Sequence, residues 1–211
     1  SMRAARPLEG LLVADFSRVL AGPLSTMNLS DLGAEVIKVE RPGIGDETRT
    51  WGPPEWDDGT GHVVATYYLA SNRDKKSVAL DLTDPDDVAV AKKLAMSADV
   101  LVENFRPGLM ATLGLDYDTI AADNPGVVYC TISAFGSEGA ASGIPGYDLI
   151  AQAMTGIMHM TGAADGPPTR AGIPVADVMT GLYATIGITA ALAERERTGR
   201  GRHVEASLFD S

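Results

Sequence analysis

Asp177 is the residue whose type and placement point most directly to covalent chemistry. It follows Ile173-Pro174-Val175-Ala176 and opens a long helical pattern. A carboxylate at a helix start can serve as a cap, accepting backbone N–H bonds. The same N–H groups and the positive end of the helix dipole can instead hold it fixed and ionised, the state a carboxylate nucleophile needs. Position alone leaves both uses open. A second set of residues is cationic: Arg41 after the run AEVIKVE, Arg73, Lys75 and Lys76 within ASNRDKKS, and Arg106 within VENFRPG. Such a set could hold phosphate groups or form a solvated charged rim. The remaining reactive types point to no constellation. His62, His159 and His203 are isolated, without metal-ligand spacing, and read as surface or core histidines. Cys130 lies inside an apolar run and reads as an inert core residue. CxxC, HExxH, P-loop and G-x-S-x-G patterns are absent, and Gly43-Ile44-Gly45-Asp46 only partly echoes GxGxxG. No bound metal is expected.

The elements that must position these residues alternate between strand and helix. Residues 11–16, 34–40, 77–82, 99–105 and 126–136 are continuous apolar runs rather than strict alternations, the pattern of parallel strands covered on both faces. Between them lie helical patterns: PLSTMNLSDLG ending at Gly33, DDVAVAKKLAMSA after Asp84-Pro85, the short LDYDTIAADN, and YDLIAQAMTGIMHMTG. The longest, VADVMTGLYATIGITAALAERERTG, closes on Gly199 with Arg195 and Arg197 near the negative end of its dipole. The expected fold is α/β, with a Rossmann-like, doubly wound, mainly parallel sheet. Loops after the carboxyl ends of such strands share the edge where ligands bind. That edge takes Arg41, Arg106 and the Ala21-Gly22-Pro23 turn, whereas Lys75 precedes its strand and is not placed by the rule. Residues 41–76 and the Gly-rich 136–148 are long connections, which in a compact domain tend to carry function. HVEASLFDS reads as a strand and the start of another helix, so the chain is expected to be the N-terminal part of a longer protein.

Composition excludes several classes. The 17 Lys+Arg against 28 Asp+Glu leave a net charge of −11, which argues against a general nucleic-acid binder. At 45% hydrophobic and 21% charged, the chain can bury a core. One cysteine cannot form an internal disulfide, and a reducing, cytoplasmic setting is expected. The N-terminal SMRAARPLEGLL has no apolar run of signal-peptide length, and no stretch approaches that of a membrane span. Ser1 before Met2 reads as a tag-cleavage scar.

Several stretches, running nearly end to end, resemble the class III CoA-transferase family, also called the carnitine dehydratase/bile-acid-inducible protein family. They are LEGLLVADFSRVLAGPLSTMNLSDLGAEVIKVERPGIGDETR, ASNRDKKSVALDL, ADVLVENFRPG, GYDLIAQAMTG and ADVMTGLYATIGITAALAERERTGRGRHVEASLFDS. Formyl-CoA transferase, carnitine CoA-transferase and α-methylacyl-CoA racemase belong to that family. Its members are roughly twice this length and interlock as dimers. The resemblance implies that residues 1–211 are the N-terminal part of one Rossmann-like large CoA-binding domain, with the small second domain absent.

The resemblance also implies roles. The family's catalytic aspartate falls on Asp177, and its CoA contacts fall around Arg41, Lys75, Asn104 and Phe105. The turn at Ala21 would let backbone approach CoA, and the strand-end edge derived above adds Arg106 to the cations expected to meet its phosphates. Leu20 stands where formyl-CoA transferase has a glutamine, and Thr112 where several members have an arginine. Tyr147 stands where the racemases have a histidine, which removes one base of a two-base mechanism and favours transfer. The implied reaction moves CoA from an acyl-CoA to a carboxylic acid through an aspartyl-CoA intermediate on Asp177, with Tyr147 polarising a carbonyl and no metal or redox cofactor. Its partners would be an acyl-CoA, a carboxylic acid and a second copy of the chain, with no nucleic acid or membrane. The alternatives are an α-methylacyl-CoA racemase-like epimerase and a CoA-binding fragment without turnover.

Overall fold

The strand that opens the chain, Leu12–Asp15 (β1), is paired on both sides, and this decides the topology. The computed structural model describes residues 5–211, so Ser1 and Met2 of the expected scar lie outside the described residues. In chain order the elements are β1, Ala21–Asp31 (α1), Glu35–Glu40 (β2), Glu55–Asp57 (β3), Val63–Ala65 (β4), Thr66–Asn72 (α2), Lys76–Ala79 (β5) and Pro85–Ser97 (α3). They continue with Val100–Glu103 (β6), Leu109–Thr112 (α4), Tyr117–Asp123 (α5), Val128–Ser133 (β7), Asp148–Met154 (α6), Ile157–Met160 (α7), Val175–Thr198 (α8) and His203–Ser207 (β8). Six strands form one sheet in the order β5-β2-β1-β6-β7-β8, and every neighbouring pair is parallel. The order reverses between β1 and β6, the switch point at which doubly wound sheets bind ligands. The α/β, Rossmann-like fold class read from the apolar runs is therefore the one found.

Alternate residues of each strand enter opposite layers. Val13, Val36, Val100, Val102, Val128 and Cys130 pack under α1 and α8 with Leu29, Ala184, Ile188 and Leu192. Ala14, Phe16, Val39, Leu101 and Tyr129 pack on the other face with Ala91, Ala95, Leu115 and Ile120. Cys130 is fully buried and its thiol is pushed up by burial, as befits a core residue. His203 stacks on the Tyr117 ring with centroids 4.9 Å apart, while His62 and His159 are exposed.

Several elements differ from expectation. The connection 41–76 carries a short antiparallel β3–β4 hairpin, a 3-10 turn over Glu47–Thr50 and α2. The single helix expected over 147–162 divides into α6 and α7, because Gly156 adopts a φ of 85°, a left-handed conformation that ends a helix. After β8 the chain makes a turn at 208–210 instead of starting a helix. By length and composition α8 reaches the apolar run of a membrane span, which the sequence reading overlooked. Its Ala184, Ile188 and Leu192 face is buried on the sheet, while Leu182, Tyr183 and Ile186 lie 43%, 50% and 61% exposed.

A buried charge cluster sits beneath the switch point. Asp15 faces Lys38 in the β1–β2 register, and both are fully buried. Asp15 Oδ2 accepts from Lys75 Nζ at 3.0 Å and Thr26 Oγ1 at 2.6 Å. Its Oδ1 accepts from the Ser17 amide at 3.0 Å and the Ser17 hydroxyl at 2.5 Å. Lys38 Nζ donates to the Ser17 carbonyl at 2.7 Å and lies 3.0 Å from Asp46 Oδ2. Burial alone would raise the Asp15 carboxyl, but Lys75, Lys38 and the two hydroxyls outweigh it and hold it at about 2. Clamped this way, the chain leaves β1 through Val19 at a φ of 71°, a costly conformation for a β-branched residue, and enters α1.

The start of α1 is pressed against α8 at Gly181. A Cβ there would lie 2.7 Å from the Ala21 carbonyl oxygen and 3.2 Å from Leu24 Cδ2. Gly181→Ala should gain about 1 kcal/mol of helix propensity yet lose more by forcing the two helices apart. The expected net loss of about 1–2 kcal/mol lowers Tm by about 2–8 °C; a raised Tm would refute the close approach.

Candidate active site

A cavity of about 420 Å³ opens at the carboxyl ends of β1, β6 and β7, at the switch point. Asp177, Tyr147, Ala21, Asn104, Phe105 and Arg106 all line it. Six of the eight residues singled out in the sequence thus meet in one space, drawn from four separate connections. Arg41 and Lys75 do not line it. Arg41 is exposed on the loop after β2. Lys75 donates to Asp15 Oδ2, the Pro23 carbonyl at 2.9 Å and Asn72 Oδ1 at 2.8 Å. Those three bonds use its three ammonium protons, and its side chain is 2% exposed. Burial pulls its pKa down to about 8 against the pull of Asp15. As the chain stands in this structure, Lys75 supports the loop below the cavity and offers no free proton to a phosphate.

Asn104 is spent in a similar way. Its Oδ1 accepts from the Arg18 amide at 2.8 Å, and its Nδ2 donates to the Arg18 carbonyl at 2.7 Å. This two-way bond ties the loop after β6 to the loop after β1 across the switch point. The Arg18 guanidinium lies 4.7 Å over the Phe105 ring. Glu103, buried at the end of β6, accepts the Phe105 amide at 2.9 Å, and burial pushes its carboxyl up to about 7. The loop that presents Phe105 and Arg106 is thereby fixed at its base.

The start of α8 departs from the expectation for Asp177. Asp148, at the start of α6, supplies the cap: its Oδ1 accepts the amides of Ala176 at 2.8 Å and Asp177 at 3.2 Å. Asp148 is in turn held by Gln152 Nε2 at 2.6 Å, and Gln152 Oε1 accepts the Ala171 amide at 2.9 Å. Gln152 is 1% exposed, so this relay locks the 171–174 segment to α6. Asp177 occupies the third helical position, and its carboxylate accepts no hydrogen bond among the described residues. Burial, reinforced by the Asp148 charge, pushes it up to about 7. The dipole favours its ionised form, but the N–H groups expected to secure that form are taken by Asp148. Asp177 is thus a carboxylate freed from capping and aimed at the cavity.

Tyr147 directly precedes α6 and stands 66% exposed at the cavity's edge. Tyr67 of α2 is a second phenol near Asp177. Burial, then the charges of Asp177 and Asp148, raise it to about 12. Sequence reasoning missed Arg18, Tyr67, Asp148 and Gln152. The rule that placed Arg41 on the ligand edge, a position just after a strand, also fits Arg18. The i, i+4 spacing of Asp148 and Gln152 was a usable sign that they share a helix face. Nothing local marked Tyr67.

The model of CoA-transferase family III matches residues 8–211. Human succinyl-CoA:glutarate CoA-transferase is 49% identical over 210 residues, covering 100% of this chain and 47% of that protein. Acetyl-CoA:oxalate CoA-transferase of Acetobacter aceti is 47% identical over 205 residues, covering 97% and 51%. The crystal structure of a CAIB/BAIF family protein from Brucella suis superposes with a TM-score of 0.94 at 45% identity, covering 98% of this chain and 54% of that one. The chain spans about half the length of the curated relatives it matches.

The raised Asp177 carboxyl has a consequence for stability. Folding increases its proton affinity, so its contribution is most favourable below the unfolded value near 3.8 and is lost as pH rises towards 7. Asp177→Asn should therefore stabilise the fold, with a gain that grows between pH 4 and pH 7 and levels off above. At pH 8 a Tm increase of about 3 °C or more is expected. A gain without pH dependence, or a loss, would contradict an unpaired, half-buried carboxylate.

Proposed function

The chain belongs to CoA-transferase family III, and on that premise we propose that it supplies the nucleophile and the CoA crevice of an enzyme moving coenzyme A from an acyl-CoA thioester to a free carboxylic acid. The observation that carries this reading is Asp177 itself, a carboxylate with no capping duty, facing a cavity it shares with Tyr147 and the strand-end loops. Succinyl-CoA:glutarate, acetyl-CoA:oxalate and succinyl-CoA:mesaconate CoA-transferases are among its relatives, so dicarboxylic acids are the proposed substrate class.

The proposed chemistry needs no external acid or oxidant. An Asp177 oxygen attacks the thioester carbonyl carbon, the C–S bond breaks, and CoA leaves as thiolate from a mixed anhydride. The thiolate attacks the Asp177 carbonyl, releasing the donor's carboxylate and leaving an aspartyl-CoA thioester. The acceptor carboxylate attacks that thioester and expels the thiolate. The thiolate then attacks the acceptor's acyl carbon, giving the new acyl-CoA and restoring Asp177. Near neutral pH a substantial fraction of Asp177 is ionised, because its pKa is about 7. Tyr147 and backbone N–H groups of the glycine-rich 136–148 loop would stabilise the oxyanions. Arg106 at the cavity and the exposed Arg41 on the loop after β2 would meet the CoA phosphates. A second copy of the chain and a reducing, cytoplasmic setting belong to the same proposal. Tyr147 in place of a histidine favours transfer over epimerisation.

The covalent step can be trapped. The complete enzyme, incubated with succinyl-CoA and then reduced with borohydride, should carry homoserine at position 177, found by peptide mass spectrometry. The trap should vanish in Asp177→Ala. Reduction at another carboxylate, or transfer by Asp177→Ala within about tenfold of wild type, would remove Asp177 as nucleophile; losing one essential covalent group normally costs far more.

A further inference from the structure

The cavity holds one cation that the chemistry above does not use. Arg18 follows β1, lines the same space as Asp177 and is half-buried. Its guanidinium makes no ion pair and no side-chain hydrogen bond among the described residues, although Arg49, Arg73, Arg195 and Arg202 all pair with carboxylates. Glu47 lines the same cavity but is not within ion-pair distance of it. Burial and the charge of Arg41 disfavour the charged form of Arg18, while the charges of Glu47, Asp46 and Tyr147 favour it without pairing with it, so the guanidinium has no anion within contact distance. The group is also well fixed. Asn104 holds the Arg18 backbone from both sides, and the Phe105 ring supports the guanidinium face. A ring beneath the face leaves the N–H edges free, and those edges match a carboxylate in two-bond geometry.

We propose that Arg18 is a specificity-determining residue that receives the far carboxylate of a dicarboxylic acyl group whose thioester end lies at Asp177. The proposal rests on the CoA-transfer reading and deepens it. Arg18 differs from Arg106, exposed in the cavity lining, and from Arg41, exposed on the loop after β2 outside that lining, in lying half-buried over an aromatic ring. Desolvation strengthens its pull on an anion and makes the loss of that anion costly.

The test compares succinyl-CoA with butyryl-CoA, which has the same chain length but a methyl end in place of the carboxylate. Calorimetry is run on the complete enzyme carrying Asp177→Asn, so that no covalent step intervenes. With Arg18 present, succinyl-CoA should bind about tenfold or more tightly than butyryl-CoA, the scale of a charge-assisted hydrogen-bonded pair. Arg18→Met should erase that preference while changing the affinity of butyryl-CoA and of free CoA by less than about twofold. Arg18→Lys should keep part of it. Equal losses for all three compounds in Arg18→Met would assign Arg18 to the CoA phosphates and overturn the proposal while leaving CoA transfer intact. A preference that survives Arg18→Met would overturn it as well. Failure of all three compounds to bind with Arg18 present would refute the CoA-transfer reading and this proposal together.

Discussion

A carboxylate with no access to water stands at the end of the first strand, and the crevice is built around it. Asp15 is neutralised in place by Lys75 and faces Lys38 across the β1–β2 register. Buried charges are tolerated only when paired and hydrogen-bonded, so this pairing obliges the end of β2, the segment before β5 and the start of α1 to converge on one point. Ser17, held by Asp15 through two bonds and by Lys38 through its carbonyl, directs the chain into Val19 and then α1. The position of Ala21, and through Gly181 its contact with α8, follows from that exit. Removing either member of the Asp15–Lys75 pair would strand the other charge and release the loop that carries Arg18.

The second constraint is the start of α8. Every helix start has backbone N–H groups to satisfy, and the carboxylate nearest in sequence is Asp177. Here Asp148, from another helix, does that work, with Gln152 holding it. This division of labour keeps Asp177 available. It also brings two carboxylates close together, which raises the proton affinity of the one that lacks hydrogen bonds. The fold thus gives up stability at Asp177 to keep a poorly solvated carboxylate facing the cavity, a common feature of reactive sites.

The layered architecture was readable because continuous apolar runs leave few options other than a covered parallel sheet. The switch-point rule put Arg106 and the Ala21 turn on the cavity side, where they lie, but also Arg41, which stays outside the lining; Asn104 and Phe105, implied by the family resemblance, line it too. What the sequence concealed was pairing between distant segments. Lys75 and Asp15 are 60 positions apart, so nothing local showed that the lysine would be fully engaged. Asp148 caps a helix that begins 27 residues later, so position alone left open whether Asp177 was needed as the cap. The β3–β4 hairpin lay hidden in a Gly- and Pro-rich stretch that reads as loop, and Gly156 was indistinguishable from a tolerated helical glycine until its φ was seen.

The most direct test of this account is the titration of the Asp177 side-chain carboxyl by carbon-13 NMR, in the wild type and in Asp148→Asn. An Asn at 148 retains an oxygen for the helix cap but loses the charge. The account predicts a midpoint near 7 in the wild type and a clear downward move in the variant. A wild-type midpoint near 4, the ordinary range of an aspartate, unmoved by Asp148→Asn, would mean that Asp177 is a solvated or capping carboxylate and would contradict the account.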